Sequence, residues 1–345
     1  MTSPTSPYSD PGVAVRSAPP VIDDDPVPPP AAAQAVPPAP RLNPLVIVEA
    51  VTRTLQGLRP AAELAVMALL AEGHLLVEDV PGVGKTTLAK ALAGAISASV
   101  GRIQFTPDLL PSDIVGVNIF RADARDFEFI PGPVFNHIVI ADEINRASPK
   151  TQSALLEAMQ EDQVTVEGRT HTLPRPFVVL ATQNPIEMDG TYPLPEAQRD
   201  RFMMRLSLGY PDAAHEVTML EEQEFVDPLT DVHPVATLEQ VRTLVDSVRR
   251  LYAAPAIKRY IVALASATRD DPELVLGASP RASNLLLRAS KAAAALAGRA
   301  FVLPDDVQRV IGPTWGHRLI LRRTATGGAD GLDYVNRLVA RVRVG

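Results

Sequence analysis

The chain has no cysteine in its 345 residues, which excludes disulfides and thiolate metal sites but names no compartment. It also lacks an uninterrupted apolar run of about 18 residues, so no membrane insertion is expected. The N-terminus has no basic region followed by an apolar stretch, as a secretory leader would require, and the reading is a cytoplasmic protein. Six histidines without an HExxH-like pair give no pattern for a protein-held zinc site. Positive charge is in deficit, with a net charge of −7. That argues against a broad nucleic-acid surface and towards protein partners, while a local basic pore stays open.

What is present is room for two domains and one stretch that organises the rest. Residues 75–87 read LLVEDVPGVGKTT, an apolar strand running into a glycine-rich turn and then a helix. Gly82 and Gly84 let backbone N–H groups approach an anion, Lys85 can reach the β and γ phosphates, and the Thr86 hydroxyl can sit on a magnesium ion. The literal phosphate-loop pattern wants glycine at Asp79; Pro81 and Gly82 restore the tight turn. Asp79, Val80, Pro81, Gly82, Val83, Gly84, Lys85, Thr86 and Thr87 are therefore the candidate nucleotide-binding residues.

Residues 1–40 are rich in Pro, Ala and Ser and cannot build a core, so a disordered or polyproline tail is expected there. Helical spacing from 44 to 58 is interrupted at Gly57, and Pro60 fits the first turn of a second helix ending near Gly73. Leu58 is a candidate for contact with adenine, or else part of the core of that helix pair. After the cradle come a helix at 87–98, a strand at 102–105, a short helix at 109–114 and a hairpin over 115–130, whose tip carries Arg121, Asp123 and Arg125.

The run HIVIADEINR at 137–146 is a buried strand ending in two acids. At the carboxyl end of such a strand Asp142 would hold magnesium and Glu143 would orient and activate the attacking water. A helix follows over 148–160, capped near Ser148 with Pro149 at its first position, then a second hairpin at 163–173. The next buried strand, 177–181, leads to Asn184, placed to bond the water or the γ-phosphate, or to cap a local turn. In PLPEAQRDRF, Arg201 is the first choice and Arg199 the second for a cation that enters a neighbouring copy's site; an ion pair within the chain is the alternative for both.

Beyond about residue 210 the pattern becomes helical throughout, with segments near 212–224, 238–252, 255–269, 281–297 and 304–313, and a last helix or strand at 333–344. Arg281 falls in the first turn of one of these helices, where the helix dipole disfavours a cation unless it faces a phosphate. His317 is read as a hydrogen-bonded structural histidine.

Four stretches, IQFTPDLLPSDIVG, ADEINRASPKTQSALLEAMQEDQVT, LATQNPIEMDGTYPLPEAQRDRF and GASPRAS, closely resemble the MoxR family of AAA+ ATPases, over about residues 43–321. The resemblance implies an α/β fold: a P-loop AAA+ core at 41–210, with a helix-2 insert at 115–130 and a hairpin before the first sensor, followed by a helical lid at 211–345. It makes Lys85 and Thr86 the Walker A pair, Asp142 and Glu143 the Walker B pair, Asn184 the first sensor, Arg201 the finger and Arg281 the second sensor. ATP and Mg2+ are the implied cofactors. The family forms homo-oligomeric rings, commonly hexamers, acts as a chaperone-like remodeller, and typically partners proteins with von Willebrand factor A domains. Two positions depart from the family pattern: Gly57, Leu58 and Arg59 stand where Gly-Gln-Glu is usual, and Arg199 replaces an aliphatic residue.

The leading functional expectation is an ATP-hydrolysing ring that remodels partner proteins. An ATPase subunit of a metal chelatase shares the same inserts and is the alternative. A DNA-translocating motor is disfavoured, because the hairpins have no clustered lysine or interleaved aromatic residues.

Overall fold

The computed structural model describes residues 42–55, 57–123, 125–184, 192–210, 213, 215–217, 229, 232–322 and 331–344. Three short runs, LLVE, IVIAD and VVLATQ, have almost no polar face and form strands sandwiched between two layers. They are β1 (Leu75–Glu78), β5 (Ile138–Asp142) and β8 (Val178–Gln183), flanked by β2 (Val100–Gln104) and β9 (Met204–Leu206). The strand order is β2-β5-β8-β1-β9, and all four pairings are parallel.

Alternate residues feed two cores. Leu75, Val77, Ile138 and Ile140 face the layer of α1 (Leu45–Thr54), α2 (Arg59–Leu70) and α3 (Lys85–Ala95). Leu76, Val139, Ala141 and Val179 face α4 (Pro111–Val115) and α5 (Pro149–Glu161). The chain leaves β1 through α3 for the far edge at β2, whereas β9 lies on the other side of β1. Connections thus part at β1, and the crevice beyond its carboxyl end is where such sheets bind ligands. The α5 start is as expected: Pro149 opens it, and the Ser148 hydroxyl accepts from the Thr151 N–H at 3.4 Å.

Two hairpins stand off the sheet, β3 (Gly116–Arg121) with β4 (Asp126–Pro131), and β6 (Gln163–Val166) with β7 (Arg169–Thr172). They brace each other. Asn118 donates to Glu167 at 2.8 Å, and the Phe129 ring stacks on His171 with centroids 4.0 Å apart. At the outer end Arg121 pairs with Glu128, and Phe120 meets Phe127 edge to face at 5.4 Å.

After the short helix α6 (Glu196–Arg199) and β9, the chain is helical: α7 (Leu238–Arg250), α8 (Pro255–Arg269), α9 (Pro280–Leu296), α10 (Pro304–Trp315) and α11 (Gly331–Arg341), with one small ladder of β10 (Leu274–Leu276) and β11 (Ile320–Leu321). The final segment, left open between helix and strand, is helix. Of the helix expected near 212–224 only 213 and 215–217 are described, and they are helical; the expected tail at 1–40 lies outside the described residues.

The described residues belong to one compact unit, and the helical part shares the core of the first sheet layer. Val241, Leu244, Leu286, Val310 and Trp315 join Val66, Leu69 and Leu70 of α2 in that core. Arg318, which follows α10, is buried and reaches back into the α/β part. Its guanidinium donates to the Asp200 carboxylate at 2.7 Å and to the carbonyls of Asp200, Phe202 and Met203. Among the described residues no helix is long and apolar enough to cross a membrane.

Candidate functional site

The turn between β1 and α3 needs glycine twice. Gly82 and Gly84 have φ of 87° and 92°, a left-handed backbone that other residues rarely adopt. A Cβ on Gly82 would meet no protein atom within 4 Å, so the surface of the turn is open to a ligand. Lys85, the first residue of α3, donates from Nζ to the Asp79 carbonyl at 2.5 Å and spans the turn. Burial holds its ammonium below the ordinary value, against the upward pull of Asp79, Asp142 and Glu143.

Asp79, where the motif wants glycine, has a different task. Its carboxylate accepts from the Leu208 N–H at 2.5 Å, the Gly209 N–H at 2.9 Å and the Ser207 hydroxyl at 3.0 Å. It therefore ties the cradle to the segment that leaves β9 for the helical part. Val80 and Val83 pack on the first core. These three residues line no part of the cleft with their side chains, so what they offer a phosphate is backbone.

The cleft itself, about 380 Å³, is lined by Pro81, Gly82, Gly84, Lys85, Thr86 and Thr87 from the turn and α3, and by Asp142, Glu143, Thr182 and Asn184 from the carboxyl ends of β5 and β8. Arg102 and Gln104 of β2 complete it. Lys85, Thr86, Asp142, Glu143 and Asn184, expected from the sequence to share a site, thus line one cleft. Glu143 turns out of β5 with φ 56°, a strained value for a residue with a side chain. Its N–H donates to the Thr182 hydroxyl at 3.0 Å, and its carboxylate accepts from Gln104 at 3.0 Å and Arg146 at 3.1 Å. The Asp142 carboxylate accepts from Arg102 at 2.9 Å and from the Thr182 hydroxyl at 3.4 Å.

Arg102, Gln104 and Thr182 were not singled out from the sequence. A signal was present: Arg102 and Gln104 are two residues apart on a strand, hence on one face. What the spacing did not show is that this face meets the two acids. The Thr86 hydroxyl and the Asp142 carboxylate share the cleft and are hard oxygen donors with no sulfur or imidazole beside them, a set that fits magnesium. Leu58 lies outside the cleft lining, at the start of α2 and against the first core. Leu55 comes nearer the cradle, 3.4 Å from where a Cβ on Gly84 would lie.

A second cavity, about 510 Å³, opens at the opposite edge of the sheet. Gly73 and His74, which precede β1, line it together with Arg175, Arg201, Arg249, Arg281, Arg288 and Lys291. The four residues of β1 separate it from the cradle by at least about 13 Å, at roughly 3.3 Å per residue. Arg281, read as a second sensor facing a phosphate, lines this cavity and not the cleft that holds the cradle. The cause is the seating of α9, whose Arg288 donates to the carbonyls of Ala71 and Glu72. Arg201 donates to the Leu156 carbonyl at 2.5 Å, and among the described residues neither Arg201 nor Arg281 has a carboxylate partner. Arg199 lines neither cavity; its charge acts on the buried His317.

His74 is the floor of this second cavity. Nδ1 accepts from the Val179 N–H at 3.1 Å while Nε2 faces the Met159 carbonyl at 3.0 Å, so the ring is neutral with its proton on Nε2. Burial, reinforced by the fields of Arg288 and Arg281, pushes its pKa down to about 4.

Strand order, a phosphate cradle at the point where connections part, and an Asp-Glu pair one strand beyond β8 define the class: a P-loop ATPase of the AAA+ kind with a helical lid. The family model described as "ATPase family associated with various cellular activities (AAA)" matches residues 74–204, and the "AAA lid domain" model matches residues 266–333. The chain is 49% identical to YeaC of Bacillus subtilis, covering 88% of this chain and 96% of that protein. It is 40% identical to Chaperone MoxR1 of Mycobacterium tuberculosis, covering 79% and 74% respectively. A solved structure from Cytophaga hutchinsonii superposes with a TM-score of 0.81 at 36% identity, over 87% of this chain and 94% of that one. The chain belongs to the MoxR family of AAA+ ATPases.

Proposed function

We propose that this chain hydrolyses ATP at a site shared between neighbouring copies in a ring, commonly a hexamer in its family, and uses the cycle to remodel or mature partner proteins. The observation that carries this reading is the separation of two half-sites. Among the described residues, the cleft at the carboxyl edge has the cradle and the acids but none of the lid's cations, and the cavity at the amino edge has Arg201 and Arg281 without a cradle. A head-to-tail ring sets one against the other.

Within the cleft, the backbone at Gly82 and Gly84 and the Lys85 ammonium bind the phosphates. Thr86 and Asp142 would hold magnesium, which supplies charge neutralisation at the β and γ oxygens when bound. Glu143, oriented by Gln104 and Arg146, accepts the proton of the attacking water or polarises it. Asn184 orients that water or the terminal phosphate. Arg201 and Arg281 of the adjacent copy stabilise the charge of the transferring phosphoryl group. Leu58 and its neighbours remain the proposed contact for the base.

Protein remodelling is supported by the outer hairpin of β3 and β4, which exposes Val117, Ile119, Phe120, Phe127 and Ile130. The hairpin carries aromatic rings after all, but no lysine, and Phe120 and Phe127 lie against each other instead of standing apart as bases would need. A relative bears the name chaperone, and the partner proposed for this chain, on the family resemblance, is a protein with a von Willebrand factor A domain.

Three variants test the reading. Lys85→Ala should abolish nucleotide binding. Glu143→Gln should keep ATP bound and slow turnover about a hundredfold or more. Arg201→Ala should bind ATP normally and lose about a thousandfold in hydrolysis. Normal turnover by Arg201→Ala would remove the shared site.

A further inference from the structure

β2 carries two polar side chains on the face towards which the acids of β5 turn. Its alternation buries Gly101 and Ile103 and exposes Arg102 and Gln104, and its register sets Gln104 opposite Asp142. The two donors match the two acids one to one: Arg102 Nε reaches Asp142 Oδ2 at 2.9 Å, and Gln104 Nε2 reaches Glu143 Oε2 at 3.0 Å.

The two sides of the first pair differ in burial. The Asp142 side chain is 12% exposed and that of Arg102 is 60% exposed. A guanidinium so largely in water contributes little to a stable bond, and a divalent cation of higher charge density displaces it from a carboxylate. Once displaced, Arg102 still lines the cleft with Gly82, Gly84, Lys85 and Thr86. The other carboxylate there, Glu143, is already engaged by Gln104 and Arg146. A planar fork of N–H donors that suits a carboxylate suits a phosphate equally.

We propose that Arg102 is a phosphate-binding residue of this site, held on Asp142 in the nucleotide-free chain and transferred to the terminal phosphate of ATP when metal takes that carboxylate. This rests on the reading of the cleft as an ATP site. It gives the chain a second cation of its own beside Lys85, carried on a sheet strand and not on the lid or a neighbouring copy. The exchange keeps Asp142 compensated throughout and couples metal capture to recognition of the third phosphate. ADP, lacking that phosphate, offers the displaced guanidinium no such contact.

Equilibrium binding of a fluorescent non-hydrolysable ATP analogue and of fluorescent ADP tests this, using the full chain as wild type, Arg102→Met and Arg102→Lys, with Mg2+ and with EDTA. Arg102→Met should weaken binding of the magnesium-loaded ATP analogue about tenfold or more, the value of a charge-assisted contact, and should not weaken binding of ADP. Arg102→Lys should recover part of the loss. The Mg2+ concentration that half-saturates the effect on ADP binding should fall in Arg102→Met, since no guanidinium competes for Asp142. Equal ATP affinities in wild type and Arg102→Met would overturn the proposal. So would equal losses for ATP and ADP, or an Arg102→Lys variant as weak as Arg102→Met. Failure of the wild type to bind ATP at all would instead remove the reading on which the proposal stands.

Discussion

At the scale of single residues, the sharpest consequence concerns two histidines that play no part in phosphate chemistry. His74 is held neutral with its pKa lowered to about 4, chiefly by burial, and His317 is pushed well below its ordinary value by burial and by Arg318. A group whose folded pKa is depressed gives stability that is complete above its unfolded value, near 6.5, and is lost as pH falls towards its folded value. The unfolded chain takes up protons that the folded chain refuses. Urea unfolding should therefore show lower stability at pH 5 than at pH 7, and His74→Gln should remove about 2 kcal/mol of that loss. A flat profile would mean that water reaches these rings. His317 was read from the sequence as structural, whereas the role of His74 depends on Val179 and Met159, both distant along the chain.

At the scale of elements, short motifs with local geometry were legible and long-range pairings were not. The cradle, the acids at the end of β5, the Ser148 cap and both hairpins follow from neighbouring residues, and each stands where the spacing put it. Arg102 is different: its bond to Asp142 spans forty positions and depends on β2 pairing with β5. Arg281 is different again, since its place follows from the bonds of Arg288 and Arg318 to segments more than a hundred residues away. The Arg318 latch grips Asp200, Phe202 and Met203, the residues on either side of Arg201. Asp200→Ala leaves that buried guanidinium without its counter-charge and should cost about 3 kcal/mol in unfolding free energy. Because the same segment presents Arg201, hydrolysis should fall while ATP affinity holds; unchanged stability and turnover would show the latch to be idle.

At the scale of the whole molecule, the two cavities lie apart: Arg201 and Arg281 line one and the cradle lines the other. The sheet holds them at opposite edges, so no rigid rearrangement of side chains within the chain brings Arg201 to the cradle beyond β1. On the proposed function, the apolar outer hairpin is the surface offered to a client and the cation-rich amino edge the surface offered to a neighbouring copy. The most direct measurement is turnover of a mixture of two inactive variants, Lys85→Ala, which keeps Arg201, and Arg201→Ala, which keeps the cradle. Each alone should be inactive, and an equal mixture should recover hydrolysis from about a quarter of its interfaces, those pairing an intact cradle with an intact arginine. A mixture as inactive as its components, or an Arg201→Ala protein active by itself, would contradict the shared site.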